Sequence, residues 1–287
     1  MGHESLEGRS VLITGGARGL GRVMALSLVG AGANVFIIAR SDAQVAQTVE
    51  EARGLGRGGC AGTAADIGNN DDCRAAVAAA ARAFGRVDVL VNNAATGMGA
   101  WQPKGPTPFW QLDPLGIEAM TNVNLLGAYR MFCAAVPAMV ENGFGKVVTV
   151  TTSRPTMRRP YSGPYGPIKA ALETTTLIWA EELAKTGVTA NVLLPGGVSD
   201  TSLVPGDNIG KRAKPFAAGK GPLGQEGTNS DLLPADIMGP PILWLASDES
   251  NGTSGRRFVA RDWDPDLPPS DAARRAMQAP SDAPVIM

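Results

Sequence analysis

The sequence predicts a doubly wound α/β fold: one parallel sheet of about seven strands with helices on both faces. Three observations carry this. The apolar runs are short and rich in β-branched residues. They are nearly continuous in apolar character, the mark of strands covered on both faces. Helix-forming stretches separate them, so strand and helix alternate along the chain.

The elements follow in order. Strands are expected at Val11–Ile13, Val35–Ile38, Val87–Val91, Val147–Val150 and Val188–Leu194, with a weaker one near Ala61–Ala65 and a last one near Arg257–Ala260. Between them, Leu20–Val29 follows the first strand. Asp42–Arg53 opens on a Ser41/Asp42 cap. Asn70–Phe84 is alanine-rich, which favours helix. Pro114–Val140 is long and mostly apolar, and Ile168–Lys185 carries Leu172, Thr176 and Trp179 on one stripe. No Pro/Ser linker closes the first half, so the expectation is a single domain over residues 1–287. Two stretches that follow strand ends break the alternation: Gly97–Asp113, with Trp101, Phe109 and Trp110, and Thr201–Asp231, with Lys211, Arg212, Lys214 and Lys220. The region 201–231 is expected to be a lid beside a ligand, because ligands in such sheets bind beyond the carboxyl ends of the strands. Residues 264–287 read as a Pro/Asp tail.

Composition removes several classes of function. With 26 Lys+Arg against 27 Asp+Glu, no global basic field exists to hold a nucleic acid. No apolar run approaches about 18 residues, so no membrane span is expected. Met1–Ser5 lacks a basic segment followed by an apolar one, so no secretory leader is expected. The single histidine, His3, rules against a Ser-His-Asp triad or a histidine-rich zinc site. Cys60, Cys73 and Cys133 are too far apart for a metal knuckle and read as reduced thiols of a cytoplasmic protein. No metal is expected.

Thr14-Gly15-Gly16-Ala17-Arg18-Gly19-Leu20-Gly21 follows the first strand directly and opens the first helix. Free N–H groups and the positive dipole end at a helix start favour a pyrophosphate. The second strand ends at Ala39-Arg40-Ser41, with no acid to accept from a ribose 2′-hydroxyl. Arg18 and Arg40 instead suit a 2′-phosphate, so NADP(H) is favoured over NAD(H).

Tyr165 and Lys169 lie four apart at a helix start and share one face. Pro167 between them is tolerable in a first turn. A free tyrosine, pKa about 10, is a poor base at neutral pH. A nearby ammonium and a bound oxidised nicotinamide are expected to lower that value and make the phenol a general acid/base.

With these motifs in order, the sequence resembles the short-chain dehydrogenase/reductase family in its compact single-domain form, and the resemblance implies a Rossmann fold. Thr14–Gly21 looks like the family's cofactor loop. Asp66, with Ile67 beside it, stands where the family contacts the adenine. Asn92-Asn93-Ala94-Ala95 is similar to its Asn-Asn-Ala-Gly element, with alanine for the last glycine. Asn124 matches its helix asparagine, which helps order a proton-relay water. Tyr165–Lys169 is similar to its Tyr-x-x-x-Lys element. Pro195-Gly196-Gly197-Val198 resembles the turn beside the nicotinamide, with Thr201 near the carboxamide. The catalytic hydroxyl has two candidates. Thr152 falls on the family's serine position at its usual spacing, and Ser153 fits if the following loop is one residue shorter. The primary hydroxyl of Ser153 is less hindered, which tips the reading toward it. After Gly255 the chain departs from the family's Asp-Gly-Gly ending.

The resulting expectation is an NADP(H)-dependent oxidoreductase that interconverts a carbonyl and an alcohol by hydride transfer. The resemblance implies Tyr165 as general acid/base, Thr152 or Ser153 positioning the oxygen, Lys169 holding the nicotinamide ribose, and Asn124 supporting a water chain. The partner is a small carbonyl or alcohol, and the family commonly forms homodimers or homotetramers. Two rivals remain: an inactive NADP-binding redox sensor of the same fold, and a sugar-nucleotide epimerase or dehydratase.

Overall fold

Seven parallel strands form one sheet in the order β3-β2-β1-β4-β5-β6-β7. They are β1 (Ser10–Thr14), β2 (Asn34–Ala39), β3 (Cys60–Ala64), β4 (Val89–Asn92), β5 (Gly145–Val150), β6 (Val188–Leu194) and β7 (Arg257–Val259). The computed structural model describes residues 5–97, 107–161, 163–197 and 233–278. Val198, Thr201 and the proposed 201–231 lid with its four cations lie outside the described residues, as does Trp101.

Alternation along each strand divides the core in two. Val11, Ile13, Val89 and Val91 point to one face, where Met24 and Leu28 of α1 (Gly19–Gly30), Val45 and Val49 of α2 (Asp42–Arg53) and Ile242 and Leu245 of α8 (Gly239–Ala246) cover them. Leu12, Leu90 and Val147 point to the other. There they meet Ala76 and Ala80 of α3 (Asn70–Phe84), Met131 and Met139 of α5 (Gly127–Glu141), and Trp179 of α7 (Tyr165–Glu182). Burial on both faces is the physical reason the strands read as unbroken apolar runs.

The expected helix Pro114–Val140 is not one regular rod. It runs as α4 (Pro114–Thr121), a π-helical turn at Asn122–Leu126, and α5. By length and composition the run Pro114–Glu141, 28 residues, is apolar enough to cross a membrane, contrary to the expectation that no such run exists. In this fold α5 lays Met131, Ala135 and Met139 onto the sheet. The helix expected from Ile168 begins at Tyr165, which puts Pro167 in its first turn. The sequence reading missed the short helix α6 (Arg154–Met157), α8, and α9 (Pro269–Ala276). α9 lies within the stretch read as a tail. It buries Ala272, Ala273 and Ala276, and an Arg275–Asp264 ion pair at 2.7 Å links it to the turn before it. An antiparallel bridge then pairs Met277 with Phe258 of β7.

The chain builds outward from β1 to β3 and then returns to place β4 on the other side of β1. The ends of β1 and β4 therefore flank the point where strand order reverses, the place where such sheets receive ligands.

Candidate active site

The glycine turn after β1 is clamped to the end of β4. The Thr14 Oγ1 accepts from the backbone N–H of Asn93 and of Ala94, both at 2.9 Å. The Asn93 Nδ2 donates to the carbonyls of Thr14 at 2.9 Å and Gly15 at 3.2 Å. Glycine is obligatory at Gly21, where a Cβ would lie 2.2 Å from the Gly15 carbonyl oxygen. Gly15 itself sits at φ +66°, a left-handed conformation. The glycines thus serve close packing of the turn against its own helix and against β4, as well as approach by a ligand.

The start of α1 differs from the helix starts that follow β2 and β3. Ser41 caps α2, accepting from the Gln44 N–H, and the Asn69 Oδ1 caps α3, accepting from Asp71 and Asp72. α1 has no side-chain cap, so its first N–H groups are left for a ligand. Arg18, at this start, and Arg40, just past β2, are both exposed, and neither guanidinium has a hydrogen-bond or ion-pair partner among the described residues. Of the other expected cofactor residues, Ala17 and Ile67 are buried and Leu20 and Ala95 half-buried. Asp66 is exposed, and its Oδ1 accepts from the Gly68 N–H at 2.8 Å. At the turn after β6, Gly196 has φ +94°, and the Pro195 carbonyl accepts from the Arg261 N–H at 3.1 Å. A Cβ on Gly196 would lie 2.7 Å from Val259, so this turn packs on β7.

Lys169 and Tyr165 of α7 meet the chain at the exit of β5, just before the two hydroxyl candidates. The buried Lys169 Nζ donates to the Val150 carbonyl at 2.8 Å and sits 5.9 Å from the centre of the Tyr165 ring. Burial pulls the Lys169 ammonium down from 10.5 to about 8. Burial also pushes the Tyr165 phenol up to about 12, and the opposing charge comes from Arg159. In the protein without a nicotinamide the phenol therefore moves opposite to the direction expected for the loaded site, because loss of water outweighs the Arg159 charge. Ser153 is the N-cap of α6. Its Oγ accepts from the Thr156 N–H at 3.4 Å and lies 2.9 Å from the Thr156 hydroxyl. Thr152 is a largely buried residue whose hydroxyl has no hydrogen-bond partner among the described residues. Asn124, buried inside the π-helical turn, accepts from the Thr96 N–H at 2.7 Å and donates to the Thr96 carbonyl at 2.9 Å. Phe109 and Trp110, in the stretch that follows β4, are exposed and pack edge to face with ring centres 5.3 Å apart.

The sequence reading overlooked two residues behind this cluster. Glu173, one turn past Lys169, and Arg257, on β7, form a buried ion pair at 2.6 Å. The signal was present: an arginine inside a strand otherwise apolar has to be paired or solvated. Burial pushes the Glu173 carboxyl above its usual range, and the Arg257 charge opposes that push.

An uncapped helix start at the strand-order reversal, with a tyrosine and a lysine at the next strand end, defines a nucleotide-binding doubly wound α/β protein. Residues 9–210 match the short chain dehydrogenase family, and the chain belongs to it. The L-rhamnose 1-dehydrogenase (NAD(P)(+)) of Sphingomonas sp. (strain SKA58) is 32% identical over 259 residues, covering 88% of this chain and 95% of the relative. The structure of 3-ketoacyl-(acyl-carrier-protein) reductase from Brucella melitensis complexed with NADH aligns with a TM-score of 0.72 and 29% identity, over 88% of this chain and 96% of that one. A short chain dehydrogenase from Burkholderia cenocepacia J2315 in complex with NADP aligns with a TM-score of 0.71 and 26% identity, over 88% and 96%.

Proposed function

We propose that this chain is an NADP(H)-dependent oxidoreductase that interconverts a small carbonyl compound and its alcohol. One observation carries the reading: Lys169 is fixed on the Val150 carbonyl, 5.9 Å from the Tyr165 ring, with the Thr152 hydroxyl, unpartnered among the described residues, two residues on from Val150. The uncapped start of α1 suits the pyrophosphate. The guanidiniums of Arg18 and Arg40, unpaired among the described residues, suit a 2′-phosphate, which supports NADP(H) over NAD(H).

When bound, the nicotinamide exchanges a hydride with the substrate carbon. In the reductive direction the Tyr165 hydroxyl donates its proton to the developing alkoxide. Its high pKa keeps it protonated at neutral pH, the state a proton donor needs. The Thr152 hydroxyl donates a hydrogen bond to the same oxygen and fixes its position. We assign this role to Thr152 and not Ser153, because the Ser153 oxygen is held by Thr156. Lys169, still mostly charged at neutral pH, keeps two N–H donors free of the Val150 carbonyl for a ribose and for orienting the phenol. The Asn124 side chain is committed to Thr96. Its part in proton supply therefore falls to the backbone carbonyls that the π-helical turn shifts out of the ordinary ladder, where they can hold a water.

A homodimer or homotetramer fits the exposed apolar side chains of Leu126, Tyr129 and Ile178 on α5 and α7 and the turn before α5. A cytoplasmic location suits three unpaired cysteines. The test is turnover of ethyl acetoacetate with NADPH, and of L-rhamnose with NADP⁺, followed by nicotinamide absorbance. Tyr165→Phe is expected to abolish turnover and leave NADPH binding intact. Undiminished turnover by that variant would remove Tyr165 from the mechanism.

A further inference from the structure

Three consecutive residues at the exit of β5 are each tied to an ionisable side chain. The Val150 carbonyl accepts from the Lys169 Nζ at 2.8 Å. The Thr151 Oγ1 donates to the Glu173 Oε2 at 3.3 Å. The Thr152 carbonyl accepts from the Arg257 Nη2 at 3.1 Å. Tyr165, Lys169 and Glu173 are spaced one turn apart on a single stripe of α7, so two of the three ties come from the helix that carries the phenol. Arg257 supplies the third from β7, reaching past β6, which lies between β7 and β5 in the sheet. Its Nε donates to the Glu173 Oε1 at 2.6 Å, and its Nη1 donates to the Gln278 Oε1. The Gln278 N–H returns to the Arg257 carbonyl at 2.9 Å, so the segment after α9 closes over the same guanidinium.

We propose that Glu173 and Arg257 are positioning residues, holding the exit of β5 in fixed register with the Tyr165 end of α7 so that the Thr152 hydroxyl meets the substrate oxygen. The inference rests on the mechanism proposed above and deepens it. A buried ion pair adds little net stability over apolar packing of similar volume, because both charges lose their water. What it adds here is direction. The planar guanidinium points separate N–H groups at Glu173, Thr152 and Gln278 at once, a pattern a lysine cannot reproduce. Glu173 is bonded on both oxygens, one by Thr151 just past β5 and the other by Arg257 on β7. Glu173 acts through the Thr151 hydroxyl and Arg257 through the Thr152 carbonyl.

The test uses the full chain and the substrate that it turns over. Arg257→Lys is expected to lower kcat by about 10- to 100-fold, the scale of an ångström-level misplacement at a reacting centre. The KM for NADPH should stay within about twofold, since the phosphate sites lie on other strands. Single changes that remove one charge of this pair leave the other buried and alone and can prevent folding. The double variant Glu173→Met/Arg257→Met removes both charges. It is expected to unfold near the wild-type temperature while its kcat stays as low as that of Arg257→Lys. Full kcat in the double variant would overturn the proposal, as would kcat losses across the set that merely track losses of thermal stability. The two levels separate cleanly. Turnover that survives Tyr165→Phe refutes the mechanism and takes this inference with it. Loss of turnover in Tyr165→Phe beside full kcat in the double methionine variant refutes the positioning role alone.

Discussion

Lys169 carries a measurable cost of its position. Its ammonium is almost fully buried and, among the described residues, meets one acceptor, the Val150 carbonyl. Burial takes its pKa from 10.5 to about 8. At about 1.36 kcal/mol per pH unit, that difference corresponds to about 3 kcal/mol of destabilisation when the group is charged. The sign follows from proton counting. Between the folded pKa and the unfolded one, the unfolded chain binds more protons, so stability rises with pH across that window. Replacing Lys169 by methionine removes the titration and keeps most of the volume. The difference in unfolding free energy, wild type minus Lys169→Met, is therefore expected to be most unfavourable to the wild type below about pH 8. It should climb by about 3 kcal/mol on going to about pH 10.5. Urea unfolding followed by tryptophan fluorescence at a series of pH values measures it. Other titrating groups cancel in the comparison. A difference flat in pH, or one that falls as pH rises, would refute the account of a lysine held against its solvation. The same variant is expected to lose turnover, so the group that weakens the protein is the one the chemistry requires.

Three further outcomes follow from the site. Arg40→Ala should raise the KM for NADPH by about tenfold or more, the worth of a charge-assisted contact, and leave the KM for NADH nearly unchanged; equal effects on both would refute the 2′-phosphate assignment. Thr152→Val should lower kcat by about 100- to 1000-fold, as for loss of one donor to a reacting oxygen, whereas Ser153→Ala should lose about 1 kcal/mol of stability as a broken cap and keep its kcat. The reverse pattern, read from steady-state kinetics and thermal melts, would return the role to Ser153. Gly21→Ala places a methyl 2.2 Å from the Gly15 carbonyl oxygen. It should reduce stability by about 1–3 kcal/mol and weaken NADPH binding together with it, as followed by thermal melts and nucleotide fluorescence; an unchanged melting temperature would show that the turn can relax.

Much of this protein was legible in one dimension. The strands of a sheet covered on both faces have to be apolar throughout, so Val11–Ile13 or Val188–Leu194 announce themselves without any partner in view. The glycine turn after the first strand and the four-residue spacing of Tyr165 and Lys169 are local patterns, readable because helix geometry converts spacing into direction. Helix α9 was obscured by the prolines and aspartates around it. It folds because Ala272, Ala273 and Ala276 find the core, a tertiary gain that propensity alone does not reveal. The π-helical turn at Asn122–Leu126 lay hidden inside an unbroken helical pattern.

The sequence by itself determined the fold class, the order of the strands along the chain, and the list of groups able to do chemistry. Only the tertiary structure decided how those groups behave. Whether Thr152 or Ser153 keeps a free hydroxyl depends on which of them caps α6. Whether the phenol moves up or down depends on how much water the fold removes from it. That Arg257, 105 residues further along the chain, bonds the carbonyl of Thr152 depends on β7 lying two places from β5 in the sheet. Spacing along a chain fixes direction within one helix or strand. Solvation and partnership are properties of three-dimensional neighbourhoods, and they come into being only when distant segments pack.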